Sequence, residues 1–135
     1  MTELTNEPIA ESKRLLIVDD ALIMRKRIRE IAETAGWQIA GEATNGEEAV
    51  EMYQAEDPDL VTLDIVMPKL DGVAALRKIM QFDPNARVVM VSALNQKPKL
   101  IECIDAGAID FIVKPFEKSV LLSFFEKSLN MKSPT

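Results

Sequence analysis

Asp19, Asp20, Asp64, Ser92 and Lys114 are residue types that together can handle a phosphoryl group, and each lies just past a short apolar run. The runs are Leu15–Val18, Leu60–Leu63, Val88–Val91 and Ile109–Val113, all rich in β-branched residues. If they are neighbouring parallel strands, their C-terminal ends form one rim, and open α/β sheets bind their ligands at that rim. Three carboxylates held there raise one another's pKa and destabilise the fold, which a bound cation relieves. The donors are hard oxygens, and the chain has no histidine and one cysteine, so magnesium suits the set better than zinc. Two carboxylates, a backbone carbonyl, waters and a substrate oxygen would complete its octahedron.

Asp64 is the candidate nucleophile. A carboxylate can attack a phosphoryl group to give an acyl phosphate, and the protein's remaining task is positioning and charge neutralisation. Magnesium and Lys114 would neutralise the equatorial oxygens, and the Ser92 hydroxyl could donate to one of them. Taken singly, each residue has a plainer meaning. Asp19-Asp20 could be a solvated turn or an N-cap for a helix starting at Ala21, Ser92 a strand-end serine, and Lys114 a surface lysine. Their joint placement after separate strands is what argues for chemistry.

The elements that would position these residues are legible in the hydrophobic pattern. Apolar runs alternate with helical patterns, which predicts βαβ units around a parallel sheet. Met24, Ile28, Ile31 and Ala35 fall at helical spacing, and Gly36 stops that helix. Gln38–Ala43 reads as the second strand and Gly46–Glu56 as the second helix, with Ala49 and Tyr53 facing inward. Val73, Leu76 and Met80 mark a third helix closing at Asp83-Pro84. A fourth is predicted from about Gln96 to Ala106, capped by Gly107, and a fifth from near Glu117. The fold predicted is one doubly wound α/β sandwich of five strands and five helices.

The 135 residues are expected to form one domain over 13–130, between a flexible N-terminal tail (1–12) and a C-terminal tail (131–135). Hydrophobic residues at 47% and charged residues at 28% are ordinary for a globular protein. Sixteen basic against 22 acidic residues give −6, which disfavours nucleic acid and anionic membrane as partners. No apolar stretch approaches the ~18 residues of a membrane span, and the first twelve residues do not read as a signal peptide. A cytoplasmic location is the expectation.

The segments LLIVDD, VTLDIVMPKLDG, VVMVSA and GAIDFIVKPF resemble the four signatures of a response-regulator receiver domain, with spacing intact over residues 14 to about 130. The resemblance implies a flavodoxin-like sheet of order 2-1-3-4-5, a known property of that family and not a deduction from periodicity. It implies that a sensor histidine kinase phosphorylates Asp64, that Asp20 and Asp64 bind magnesium directly, Asp19 through water and Val66 through its carbonyl. It also implies a cis bond between Lys114 and Pro115, and a switch in which Ser92 moves toward the phosphoryl group while Phe111 turns inward. Many receivers have Thr and Tyr at those two positions; a phenyl ring reports its rotation by shape and apolar contact alone. Val66 and Leu94 flank the phosphorylation site in receivers. Both are apolar here, which predicts slow self-dephosphorylation, and small Ala93 leaves the site open to small phosphodonors.

GEATNGEEAVE, DPNARVVMVSA and IECIDAGAIDFIVKPF resemble the chemotaxis (CheY-type) members more than the transcriptional ones. The chain ends soon after the fifth helix, so output is expected through docking to a separate protein, with a flagellar motor switch protein the leading candidate and a phosphatase another. A phosphorelay intermediate that passes its phosphoryl group to a histidine phosphotransfer protein is the alternative. An aspartyl-phosphate hydrolase lacks its D-x-D-x-T motif here, and a flavin carrier would find Asp19-Asp20 where its phosphate loop belongs. On the last helix, Val120, Leu121, Leu122, Phe124, Phe125 and Leu129 spread over roughly 200°, wider than the stripe one packed face requires. Some of that surface is expected to meet a partner. The basic run Arg25-Lys26-Arg27-Ile28-Arg29 reads as a solvated helix face, and Cys103 as a buried bystander.

Overall fold

The runs Leu15–Val18, Leu60–Leu63 and Val88–Val91 form strands buried on both faces, the environment that selects continuous apolar sequence in parallel sheets, whereas Ile109–Val113 supplies an edge strand and leaves Ile109 and Phe111 exposed. A computed structural model describes residues 13–130, with the side chain of Leu94 excepted; the expected tails lie outside the described residues. The strands are β1 (Arg14–Val18), β2 (Gln38–Ala43), β3 (Leu60–Leu63), β4 (Val88–Ala93) and β5 (Asp110–Lys114). The helices are α1 (Leu22–Thr34), α2 (Gly46–Glu56), α3 (Gly72–Phe82), α4 (Lys97–Ala106) and α5 (Lys118–Leu129), with a 3₁₀ turn at Leu94–Gln96. All strand pairs are parallel, in the order β2-β1-β3-β4-β5. The chain therefore winds outward from β1 to β2, then reverses through β3, and the crevice between the ends of β1 and β3 is the switch point.

Side chains alternate across the sheet with period two and divide the core into two layers. Leu16, Val18, Val61, Leu63, Val88 and Met90 face one way, against Ala49 and Tyr53 of α2, Leu76 and Ile79 of α3, and Leu100 and Cys103 of α4. Leu15, Ile17, Leu60, Val89 and Val91 face the other, against Ile28 and Ile31 of α1 and Leu121 and Phe125 of α5. Local chemistry sets the helix ends. Asn45 accepts from the Glu48 N–H (2.9 Å), while Glu48 reaches back to the Thr44 N–H (2.7 Å), satisfying two otherwise orphaned donors at the start of α2. Asp71 accepts from the Ala74 N–H (2.9 Å) and starts α3. Gly107, at φ 119°, closes α4 in the left-handed conformation expected of it.

Three expectations change. β4 and β5 each run further than their apolar cores, because Ser92↔Val113 and Ala93↔Lys114 continue the ladder, so Ser92 and Lys114 lie within strands. The basic run after Asp20 is a solvated face only in part: Lys26 and Arg27 are exposed, but its arginines are also engaged within the fold. Arg25 and Arg29 pair with Glu42 of β2, and Arg27 stacks over the Phe116 ring at 5.1 Å while donating to the Phe116 carbonyl (3.0 Å). The wide apolar arc of α5 is mostly consumed inside the fold. Leu121 and Phe125 are buried, Leu122, Phe124 and Leu129 half-buried, and the Trp37 indole N–H donates to the Phe125 carbonyl (2.9 Å). Val120 stays 52% exposed and, with Phe111 and Phe124, lines a groove of about 530 Å³ between β5 and α5.

Candidate functional site

Register brings the acids together. Val18 lies opposite Leu63 in the β1–β3 ladder, so the next residues, Asp19 and Asp64, emerge side by side at the switch point. The Asp64 N–H donates to the Val18 carbonyl (3.1 Å) and the Asp19 N–H to the Ala43 carbonyl (3.1 Å), tying both acids to neighbouring strands. Asp19 is buried, with Oδ1 accepting from the Ala21 N–H (2.9 Å) and Oδ2 from the Lys114 ammonium (2.5 Å). Asp20, the next residue, is exposed. Asp64 is 7% exposed; its Oδ1 accepts from the Ile65 N–H (2.7 Å) and the Ser92 hydroxyl (2.9 Å), and its Oδ2 from Lys114 (3.1 Å).

One carboxylate oxygen from each of Asp19, Asp20 and Asp64 lies within 4.8 Å of the others. Three hard anionic oxygens that close, with no nitrogen or sulfur donor in the set, fit a small divalent cation of the magnesium type. Their electrostatics agree. Burial pushes the Asp19 carboxyl above its ordinary value, and the Lys114 and Ala21 hydrogen bonds offset this only in part. Burial works to discharge Lys114, but its hydrogen bond to Asp19 and the charges of Asp64 and Asp19 outweigh it, raising its pKa. One shared ammonium thus serves two carboxylates, leaving the acidic cluster short of positive charge.

The structure gathers Asp19, Asp20, Asp64, Ser92 and Lys114 at one place. Val66, two residues past Asp64, turns its side chain to solvent at 57% exposure. Phe111 does not join them: it is 37% exposed and lines the β5–α5 groove, while the Ser92 hydroxyl already sits on Asp64. The Lys114–Pro115 bond is cis, as expected.

Sequence reasoning missed two supports of the site. A Cβ on Gly72 would stand 2.0 Å from the Asp64 carbonyl oxygen and 2.7 Å from Ile65 Cα. Only glycine lets α3 start this close to the acid, where the Gly72 N–H donates to the Ile65 carbonyl (2.7 Å). The Asp71-Gly72 pair after the third strand was the available signal. Arg25 is the other support: its Nη1 donates to the Asp19 carbonyl (2.8 Å) and its Nε to Glu42 (2.9 Å).

Residues 15–126 match the family model described as the response regulator receiver domain. The chain belongs to the response-regulator receiver family. Among its relatives, the chemotaxis protein CheY of Thermotoga maritima is 51% identical over 115 residues, covering 85% of this chain and 96% of the relative. CheY of Bacillus subtilis is 50% identical, covering 87% of this chain and 98% of the relative. A chain in the crystal structure of the CheX–CheY–BeF3–Mg2+ complex from Borrelia burgdorferi is 42% identical at a TM-score of 0.82, covering 89% of this chain and 90% of that one. This receiver is accordingly a signalling domain of the two-component type with chemotaxis homologues. Its acidic cluster is of a kind that can hold a metal ion. No helix among the described residues is long and apolar enough to cross a membrane.

Proposed function

We propose that this receiver accepts a phosphoryl group on Asp64 from a sensor histidine kinase in a magnesium-dependent reaction, and that the phosphorylated form signals by docking to a separate protein in chemotaxis. The observation that carries the reading is the convergence on Asp64 of Ser92, Lys114 and two further carboxylates. Asp20 and Asp64 would hold the ion directly, Asp19 through water and Val66 through its carbonyl. Bound there, magnesium would supply fixed positive charge to the phosphoryl oxygens.

The chain's own residues do the rest. The Ile65 N–H and Ser92 hydroxyl fix Asp64 Oδ1, orienting the carboxylate and leaving Oδ2 to attack the phosphorus once Lys114 shifts from it. The oxygen–phosphorus bond to Asp64 forms as the phosphorus–nitrogen bond to the donor histidine breaks, and the histidine leaves as neutral imidazole once protonated. Lys114, between Asp19 and Asp64, is placed to neutralise a phosphoryl oxygen, and Ser92 to donate to another. The neighbouring CheY complex that includes BeF3, Mg2+ and CheX supports the metal, a phosphoryl-sized anion and a separate docking protein.

Docking is assigned to α4, β5 and α5, where Ile101 (55%), Phe111 (37%) and Val120 (52%) are exposed. With chemotaxis proteins among the relatives, we assign a flagellar motor switch protein as the target and a phosphatase as a second partner. The receiver is then a phosphoacceptor that catalyses only its own phosphorylation and dephosphorylation, in the cytoplasm. Incubation with acetyl phosphate, read by intact mass, tests the reaction. A gain of one phosphoryl group is expected that requires both magnesium and Asp64. A gain that persists in Asp64→Asn, or no gain from acetyl phosphate or a phosphorylated kinase, would overturn the reading.

A further inference from the structure

The three acids differ in what holds them. Asp64 is fixed by Ile65, Ser92 and Lys114, and Asp19 by Ala21 and Lys114. The carboxylate of Asp20 is exposed and makes no hydrogen bond or ion pair among the described residues. Its direction toward the other two is therefore set by the backbone, above all by the peptide plane joining Asp19 to Asp20. The oxygen of that plane is the Asp19 carbonyl, and Arg25 Nη1 holds it at 2.8 Å.

Arg25 is itself fixed. Its side chain is only 11% exposed, and its Nε donates to Glu42 Oε1 at 2.9 Å. Glu42 is placed by the sheet: Ile17↔Glu42 and Val18↔Ala43 are successive pairs of the β1–β2 ladder. Its other oxygen takes Arg29 at 2.7 Å. Burial would raise the Glu42 carboxyl, but hydrogen bonds from Arg29 and Arg25 outweigh it and hold it below the ordinary value, so it is anionic at neutral pH.

We infer that Arg25 and Glu42 are positioning residues that fix the Asp19–Asp20 peptide plane and so set the magnesium affinity of the acidic cluster. This inference rests on the proposed metal-dependent reading of the site. It opposes simple electrostatics. Arg25 is a cation beside a cation site, so on charge alone its removal would tighten magnesium binding; as a positioning group, its removal must weaken it. Outer-shell partners of metal ligands typically change affinity 10–100-fold when removed.

The experiment is a calorimetric magnesium titration of the full chain and of Arg25→Gln, Glu42→Gln and Arg29→Gln, with circular dichroism and thermal melts as controls. Arg25→Gln and Glu42→Gln are expected to bind magnesium about tenfold more weakly. Arg29→Gln leaves both Arg25 hydrogen bonds in place and should change affinity less than twofold while losing comparable thermal stability, which separates positioning from general weakening of the fold. If Arg25→Gln does not fold, Arg25→Lys keeps the charge but not the two-pronged fork, and the same loss is expected of it. Unchanged or tighter binding by Arg25→Gln overturns the inference alone. A parent protein that binds no magnesium overturns the metal reading, and the inference with it.

Discussion

Cys103 shows how burial decides reactivity at a single residue. It is fully buried within the α2–α3–α4 layer of the core, and burial, helped by the charge of Glu102, pushes its thiol from 9.0 to about 11. The reactive species is the thiolate. Two pKa units reduce its population at pH 8 about 100-fold, before lack of access slows reaction further. Iodoacetamide at pH 8, followed by intact mass, is expected to leave the native protein unmodified while alkylating the unfolded chain readily. Native labelling at the unfolded rate would show that Cys103 is not packed as described. Asp19, Asp64, Ser92 and Lys114 were legible as a group because each ends an apolar run, and strand ends at one rim are neighbours in any parallel sheet. Arg25 was not, because its partner Glu42 depends on the β1–β2 register, which shifts between Leu15 and Leu16 and leaves no trace in hydrophobic periodicity.

Between elements, closeness of backbones matters more than side-chain chemistry. The segment from Asp64 to Asp71 folds back so that the first turn of α3 touches the main chain at Asp64, and Gly72 is the contact point. A methyl group there meets backbone, which cannot swing aside as a side chain does. Gly41→Ala is the internal control, since its Cβ would meet the flexible Met52 Sδ at 3.4 Å. Gly72→Ala is expected to cost on the order of 1–3 kcal/mol in urea unfolding, the usual range for overpacking, and to abolish phosphorylation from acetyl phosphate in the molecules that remain folded. Gly41→Ala should leave phosphorylation intact. Equal behaviour of the two variants would remove the special role of Gly72. The elements themselves were read from the sequence almost to the residue wherever a turn residue ends them, as with Gly36, Asp83 and Gly107. Readings were coarser where an element's apolar face finds its partner far along the chain. Part of the broad stripe of α5 was expected to stay exposed, as Val120 does, but how much is consumed inside the fold was not legible because Trp37, which packs on Phe125 with ring centroids 6.1 Å apart, lies 88 residues away.

For the molecule as a whole, the acidic cluster sets stability against function. The chain carries a net charge of −6, and at the switch point Lys114 is the one cation among the described residues paired with Asp19 and Asp64, while Asp20, without an ion pair among those residues, adds a charge within 4.8 Å. The metal-free fold therefore bears like-charge repulsion that a bound divalent cation removes. A ligand that binds only the native state stabilises it by RT ln(1 + [L]/Kd), about 1.4 kcal/mol at ten times Kd. Thermal melts should accordingly rise by a few degrees with magnesium in the parent. Asp20→Asn separates the two effects, because it removes one charge from the cluster without disturbing any hydrogen bond among the described residues. Without magnesium the variant is expected to melt above the parent; with magnesium at ten times the parent's Kd the order should reverse if, as proposed, Asp20 is a ligand. The comparison belongs at fixed ionic strength, balanced with sodium chloride, so that general screening of the −6 charge does not imitate specific binding. Parallel rises in both proteins would mean that magnesium acts on the surface at large and that Asp20 contributes no ligand.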